Sequence, residues 1–135
     1  MVQSNLEYQG ELHCKLTHGP SGVEIATDAP KDNMGKGQSF SPTDLMGAAL
    51  ASCIVTTMAI VARRNNLELV GVTATVKKEM VADPLRRIAR LPVEVRVPMK
   101  VDEEMKKRLE NAGNTCPVKM SLPGNLDAPI EFKWG

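Results

Sequence analysis

Aromatic residues are almost missing from this 135-residue chain, which has one Trp, one Tyr and two Phe. So few ring faces provide no stacking platform for bases. With Lys+Arg 17 against Asp+Glu 16 there is also no basic field, so nucleic acid is not an expected partner. Cysteine is scarce too. Cys14, Cys53 and Cys116 form no C-x-x-C pair, which excludes a disulfide scaffold or a zinc ribbon. No H-E-x-x-H, G-x-S-x-G or Walker motif occurs, and Gly35-Lys36-Gly37 is too short to cradle a phosphate. His13 and His18 lack metal-ligand spacing and read as solvated or satisfied side chains. No metal and no cofactor is therefore expected. Met1–Asn5 has neither a basic n-region nor an apolar h-region, so no secretory signal is read and a cytoplasmic location is expected.

What is present is ordinary globular usage, 42% apolar and 24% charged, in a length that fits a single domain over residues 1–135. The unusual stretch runs from Leu45 to Ala62 without a charged residue. Its length is at the lower edge for a membrane span, but Ala, Gly, Ser and Thr dominate it, so a helix buried on all sides of a soluble core is expected and no membrane partner. Such a helix is hard to hide inside one small monomer, and a second copy of the chain is expected to help cover it.

The remaining pattern is strands interrupted by helices. Residues 6–18 alternate as a strand, residues 18–22 form a turn cluster, residues 23–27 return, and residues 28–40 form a polar, Gly- and Pro-rich loop. Ser41 as N-cap, Pro42 at the first helical position and Asp44 two residues on predict a helix over 42–64 closed by Arg63 and Arg64. Residues 67–82 and 86–97 predict a long hairpin turned at Asp83-Pro84, with Val93, Val95 and Val97 on one face. An amphipathic helix follows over 102–112, then a short helical turn with Pro117 at its start, then a closing strand over 128–134. Without regular βαβ alternation this is an α+β chain.

The residues themselves leave the chemistry open. Cys53 lies mid-helix, where an inert core thiol is the usual reading and the helix dipole is too far away to lower its pKa. Cys116 stands near the N-cap of the short turn, so it is electrostatically the better candidate for a lowered pKa, or it simply caps. Cys14 has no motif around it and reads as structural.

Ser41-Pro42-Thr43-Asp44-Leu45-Met46-Gly47-Ala48-Ala49-Leu50-Ala51-Ser52-Cys53, followed much later by Thr115-Cys116-Pro117-Val118, resembles the OsmC/Ohr family. The Asp83–Arg87 turn and the closing strand extend the resemblance over about residues 38–134. It implies an intertwined homodimer whose central apolar helices are wrapped by antiparallel β-sheets. It also implies a thiol peroxidase for organic hydroperoxides, with Cys53 peroxidatic, Cys116 resolving, and a lipoyl-type dithiol as reductant. The alternative within the family is a redox-sensing or small-ligand-binding protein without turnover. Family peroxidases activate the first cysteine with an upstream arginine, whereas the first arginine here is Arg63. The expected substitutes are Lys31 or Lys36, or Arg63 or Arg64 from the partner's helix. Thr43, with Asp44 beside it, stands where Ohr-type members carry a glutamate.

Overall fold

A computed structural model describes residues 1–135, which form two compact units, Met1–Met46 and Gly47–Gly135. The first unit is an antiparallel meander of β1 (Ser4–Tyr8), β2 (His13–His18) and β3 (Glu24–Asp28). The single strand expected over 6–18 is thus two strands. Gly10, Glu11 and Leu12 take successive positive φ angles of 84°, 56° and 58° and fold the chain back on itself. Only Gly10 advertises that conformation in sequence, because Glu11 and Leu12 are residue types that seldom adopt it.

The polar loop beyond β3 is fastened to the buried Asp28. One carboxylate oxygen accepts the Gln38 amide at 3.0 Å, and the other faces His13 Nδ1 at 2.6 Å. One 3₁₀ turn, Lys31–Asn33, interrupts it.

Helix α1 spans Pro42–Arg64, as the sequence predicts. Its start is a reciprocal capping box. Ser41 Oγ accepts the Asp44 N–H at 3.0 Å, and the Ser41 N–H donates to Asp44 Oδ2 at 3.0 Å. At its far end Asn65 Nδ2 donates to the Val61 carbonyl at 2.9 Å, and Asn66 turns left-handed at φ 58°.

The second unit holds the core. Leu50, Ile54, Met58 and Ala62 recur at helical spacing along one stripe of α1 and are fully buried. They are joined there by Leu91, Val93, Val95, Val97 and Leu109. Each large aliphatic side chain so placed contributes about 1.5–3 kcal/mol. In the single chain α1 is buried along one stripe only, not on all sides. Ala49, Ser52, Thr56 and Ile60 remain exposed. By length and composition α1 could also cross a membrane, with a mean hydropathy of 2.1.

The expected long hairpin is broken into β4 (Thr73–Val76), β5 (Glu79–Val81), β6 (Arg87–Arg90) and β7 (Val93–Val97). β5 pairs with β6 alone, while β4 pairs with β7. The breaks fall at Lys77-Lys78 and at Leu91-Pro92, where proline has no amide to extend a ladder. Helix α2 (Glu103–Asn114) is capped by Asp102, which accepts the Met105 N–H at 2.8 Å. It leads into the short helix α3 (Pro117–Met120) and then β8 (Ile130–Trp134). This crossover brings β8 back parallel to β7, so the sheet order is β4-β7-β8 with one parallel pair in an otherwise antiparallel fold.

Candidate active site

Cys53 projects from the fourth turn of α1, one residue before the fully buried Ile54, and is itself half-buried. Thr57 lies one turn on, its Oγ1 3.9 Å from Cys53 Sγ. The i,i+4 spacing that produces this contact is visible in the sequence, but a threonine inside an apolar helix carries no signal by itself.

Cys116 is delivered by the other side of the core. Gly113, in the last turn of α2, lets the helix approach closely. A Cβ there would stand 3.3 Å from Ile54 Cγ2 and 3.2 Å from the Phe132 ring. Three residues later Cys116 is the N-cap of α3, with Pro117 at the first helical position. Its sulfur accepts the Lys119 N–H at 3.4 Å. The Lys119 side chain secures the same turn, donating to the Ala128 carbonyl at 2.8 Å and to Asn114 Oδ1 at 3.2 Å. Cys116 is fully buried in the core cluster against which the half-buried Cys53 packs, and Cys53 lies near enough to affect its ionisation. Both are free thiols, as is the half-buried Cys14 in β2.

The expectation of a lowered Cys116 pKa is reversed. Burial pushes this thiol above its ordinary value, and the neighbouring Cys53 adds to the rise. The Lys119 amide pulls the other way but does not overcome desolvation. A four-residue helix has little dipole to offer, which is why the cap position misleads at the level of sequence.

Cys53 and Cys116 are therefore brought together within one unit. Lys31, Lys36, Thr43 and Asp44 belong to the Met1–Met46 unit. Lys36 Nζ lies 3.7 Å from Glu11 Oε2, and Lys31 lays its stem against Gly37. Thr43 Oγ1 lies 3.1 Å from Ser41 Oγ, and Asp44 completes the helix cap. On the same helix as Cys53, Arg63 is ten residues farther along, about 15 Å at the helical rise. It is exposed and faces Glu68 at 3.9 Å. Arg64 is exposed beside it. Chemically, the site offers one half-buried thiol and one buried thiol in the same packed cluster, an arrangement suited to sulfenic acid formation followed by disulfide closure.

A family model for OsmC-like proteins matches residues 35–131. Among solved structures, a Psychrobacter arcticus 273-4 protein, provisionally named an osmotic stress induced and detoxification response protein, is 39% identical. The alignment covers 98% of this chain and 96% of that one, with a TM-score of 0.92. The organic hydroperoxide resistance protein OsmC of Legionella pneumophila is similar in fold at 17% identity, covering 98% and 96%, with a TM-score of 0.74. The organic hydroperoxide resistance protein OhrB of Bacillus subtilis is similar in fold at 21% identity, covering 98% of both chains, with a TM-score of 0.71. Among curated proteins, none matches the sequence.

Proposed function

From the premise that this chain belongs to the OsmC-like protein family, we propose that it is a thiol peroxidase that reduces organic hydroperoxides. The observation that carries this reading is that the half-buried Cys53 packs against the core cluster that holds the fully buried Cys116. The Cys53 thiolate attacks the peroxide O–O bond, gives an alcohol and becomes a sulfenic acid. Cys116 condenses with the sulfenic acid to a disulfide and water. A dithiol of the lipoyl type then exchanges with the disulfide and restores both thiols. Solved relatives named organic hydroperoxide resistance proteins support the choice of substrate.

The working unit is a homodimer in the cytoplasm. In register across β1, β2 and β3, Leu6, Leu16 and Ile25 share one face of the first sheet, with Tyr8 beside them, and Leu6, Tyr8 and Ile25 are exposed. With Ile60 of α1 also exposed, the single chain leaves apolar surface that a second copy would cover. A positive charge near Cys53 would come from Lys31 or Lys36, or from Arg63 or Arg64 of the partner subunit.

The test is consumption of cumene hydroperoxide with dihydrolipoamide as reductant. Wild type turns over, and Cys53→Ser is inactive. A second reading, a redox sensor without turnover, is favoured by one observation, that every cation before Cys53 is a lysine and Lys36 is engaged by Glu11. The sensor would be oxidised once per chain but would consume no further peroxide with reductant present.

A further inference from the structure

Disulfide closure is more demanding in geometry than attack on a diffusible peroxide, because two sulfurs fixed to the chain must meet at bonding distance with a set dihedral angle. Cys116 meets that demand from the N-cap of α3, a helix of only four residues, too short to hold its own shape. We propose that Lys119 is the positioning residue for this step: it ties the α3 turn to the segments on either side and so fixes the Cys116 sulfur for attack on the Cys53 sulfenic acid. The inference rests on the reading of Cys116 as the resolving cysteine and gives that cysteine a partner.

Lys119 acts on Cys116 through two groups. Its backbone N–H donates to the Cys116 sulfur at 3.4 Å and holds the thiol in the capping orientation. Its side chain reaches both neighbouring segments. Nζ donates to Asn114 Oδ1, at the end of α2, at 3.2 Å, and to the carbonyl of the buried Ala128, just before β8, at 2.8 Å. Asn114 is itself oriented, since its Nδ2 donates to the Glu110 carbonyl at 3.0 Å and leaves Oδ1 for the lysine. Both acceptors are neutral oxygens, so the ammonium joins three chain segments instead of neutralising an acid. Asn114 also follows Gly113, which is seated on Ile54, and Ile54 follows Cys53. The lysine thus refers the position of Cys116 back to the helix that carries Cys53.

In the step itself the Cys116 thiol gives up its proton, and its electron pair attacks the sulfenic sulfur of Cys53. An S–S bond forms and the S–O bond breaks, and the departing hydroxide takes up the equivalent of that proton to leave as water. Cys116 sulfur is oxidised by one electron and Cys53 sulfur is reduced by one. The earlier step, attack of Cys53 on the peroxide, uses none of the atoms that Lys119 holds. The two steps therefore respond differently to loss of its ammonium.

The measurement is a single turnover with one equivalent of cumene hydroperoxide and no reductant, quenched at intervals with dimedone, which caps sulfenic acid, and read by mass spectrometry. It separates the rate of Cys53 oxidation from the rate of disulfide closure in wild type, Lys119→Met, Lys119→Arg and Asn114→Ala. Methionine keeps an unbranched stem and loses the charged donor. A small misplacement of reacting groups costs up to about 10²-fold, so closure in Lys119→Met is expected to slow by about tenfold or more, with Cys53 oxidation within about twofold of wild type. Arginine keeps donors for both oxygens and is expected to restore most of the closure rate. Asn114→Ala removes one of the two acceptors at an exposed position and is expected to slow closure less than Lys119→Met does. Closure at the wild-type rate in Lys119→Met, or in Asn114→Ala if the lysine variant does not fold, would overturn the role of Lys119. Oxidation and closure slowed equally, with arginine no better than methionine, would overturn it as well, since that is the signature of a loosened fold. A wild type in which Cys53 is oxidised but never joined to Cys116 would instead overturn the resolving-cysteine reading.

Discussion

Gly113 stands against Ile54: a methyl group on its α-carbon would lie 3.3 Å from Cγ2 of that isoleucine, with the Phe132 ring as close on the other side. This approach seats the end of α2 on α1, next to Cys53, and places Cys116 three residues later. Gly113→Ala should gain about 1 kcal/mol in helix propensity and lose more to overpacking against two partly or fully buried side chains. A lower Tm, together with slower closure of the Cys53–Cys116 disulfide, is the expected result. A higher Tm at unchanged closure rate would show that the contact is slack.

Because burial holds the Cys116 proton in the folded state, the folded chain keeps it to higher pH than the unfolded chain does. The stabilisation this gives is fully present below the unfolded thiol's pKa of about 8.5. It is lost as pH rises through the folded value, at no more than about 1.4 kcal/mol per pH unit. Urea denaturation from pH 8 to 10 should show wild type losing stability more steeply than Cys116→Ser. Parallel curves for the two proteins would refute the buried, protonated thiol.

Thr57 is the polar group 3.9 Å from the Cys53 sulfur, one turn along α1. Its hydroxyl can donate to the thiolate, a contact worth about 0.5–1.5 kcal/mol. Thr57→Val keeps the shape of the side chain and should slow both alkylation and peroxide oxidation of Cys53, by about two- to tenfold, with little change in Tm. Unchanged rates would mean that the hydroxyl does not serve the sulfur.

Sedimentation at micromolar concentration should give a homodimer, with an interface above about 2,000 Å². Leu6→Glu places a charge in the exposed apolar row of the first sheet and should shift the species toward monomer. A wild-type monomer under these conditions would refute the dimer.

Much of this fold is legible in the sequence where one residue dictates one local geometry. Ser41, Pro42 and Asp44 specify the start of α1, and Cys116-Pro117 specifies the start of α3, because capping and proline stereochemistry act over a few bonds. The split of the first strand is hidden, since Glu11 and Leu12 reach left-handed angles only through their surroundings. The parallel return of β8 is hidden as well, because it depends on where α2 and α3 deliver the chain. At the site, the two cysteines are legible as a motif. The rise in the Cys116 pKa is not, because it comes from tertiary burial that a helix-terminus argument ignores.

The most direct measurement is peptide mapping of the protein after one equivalent of cumene hydroperoxide. The packing of Cys53 against the cluster that holds Cys116 predicts a single intramolecular disulfide between them, with Cys14 reduced. A disulfide involving Cys14 as the main product, or a sulfenic acid on Cys53 that persists beside a reduced Cys116, would contradict it.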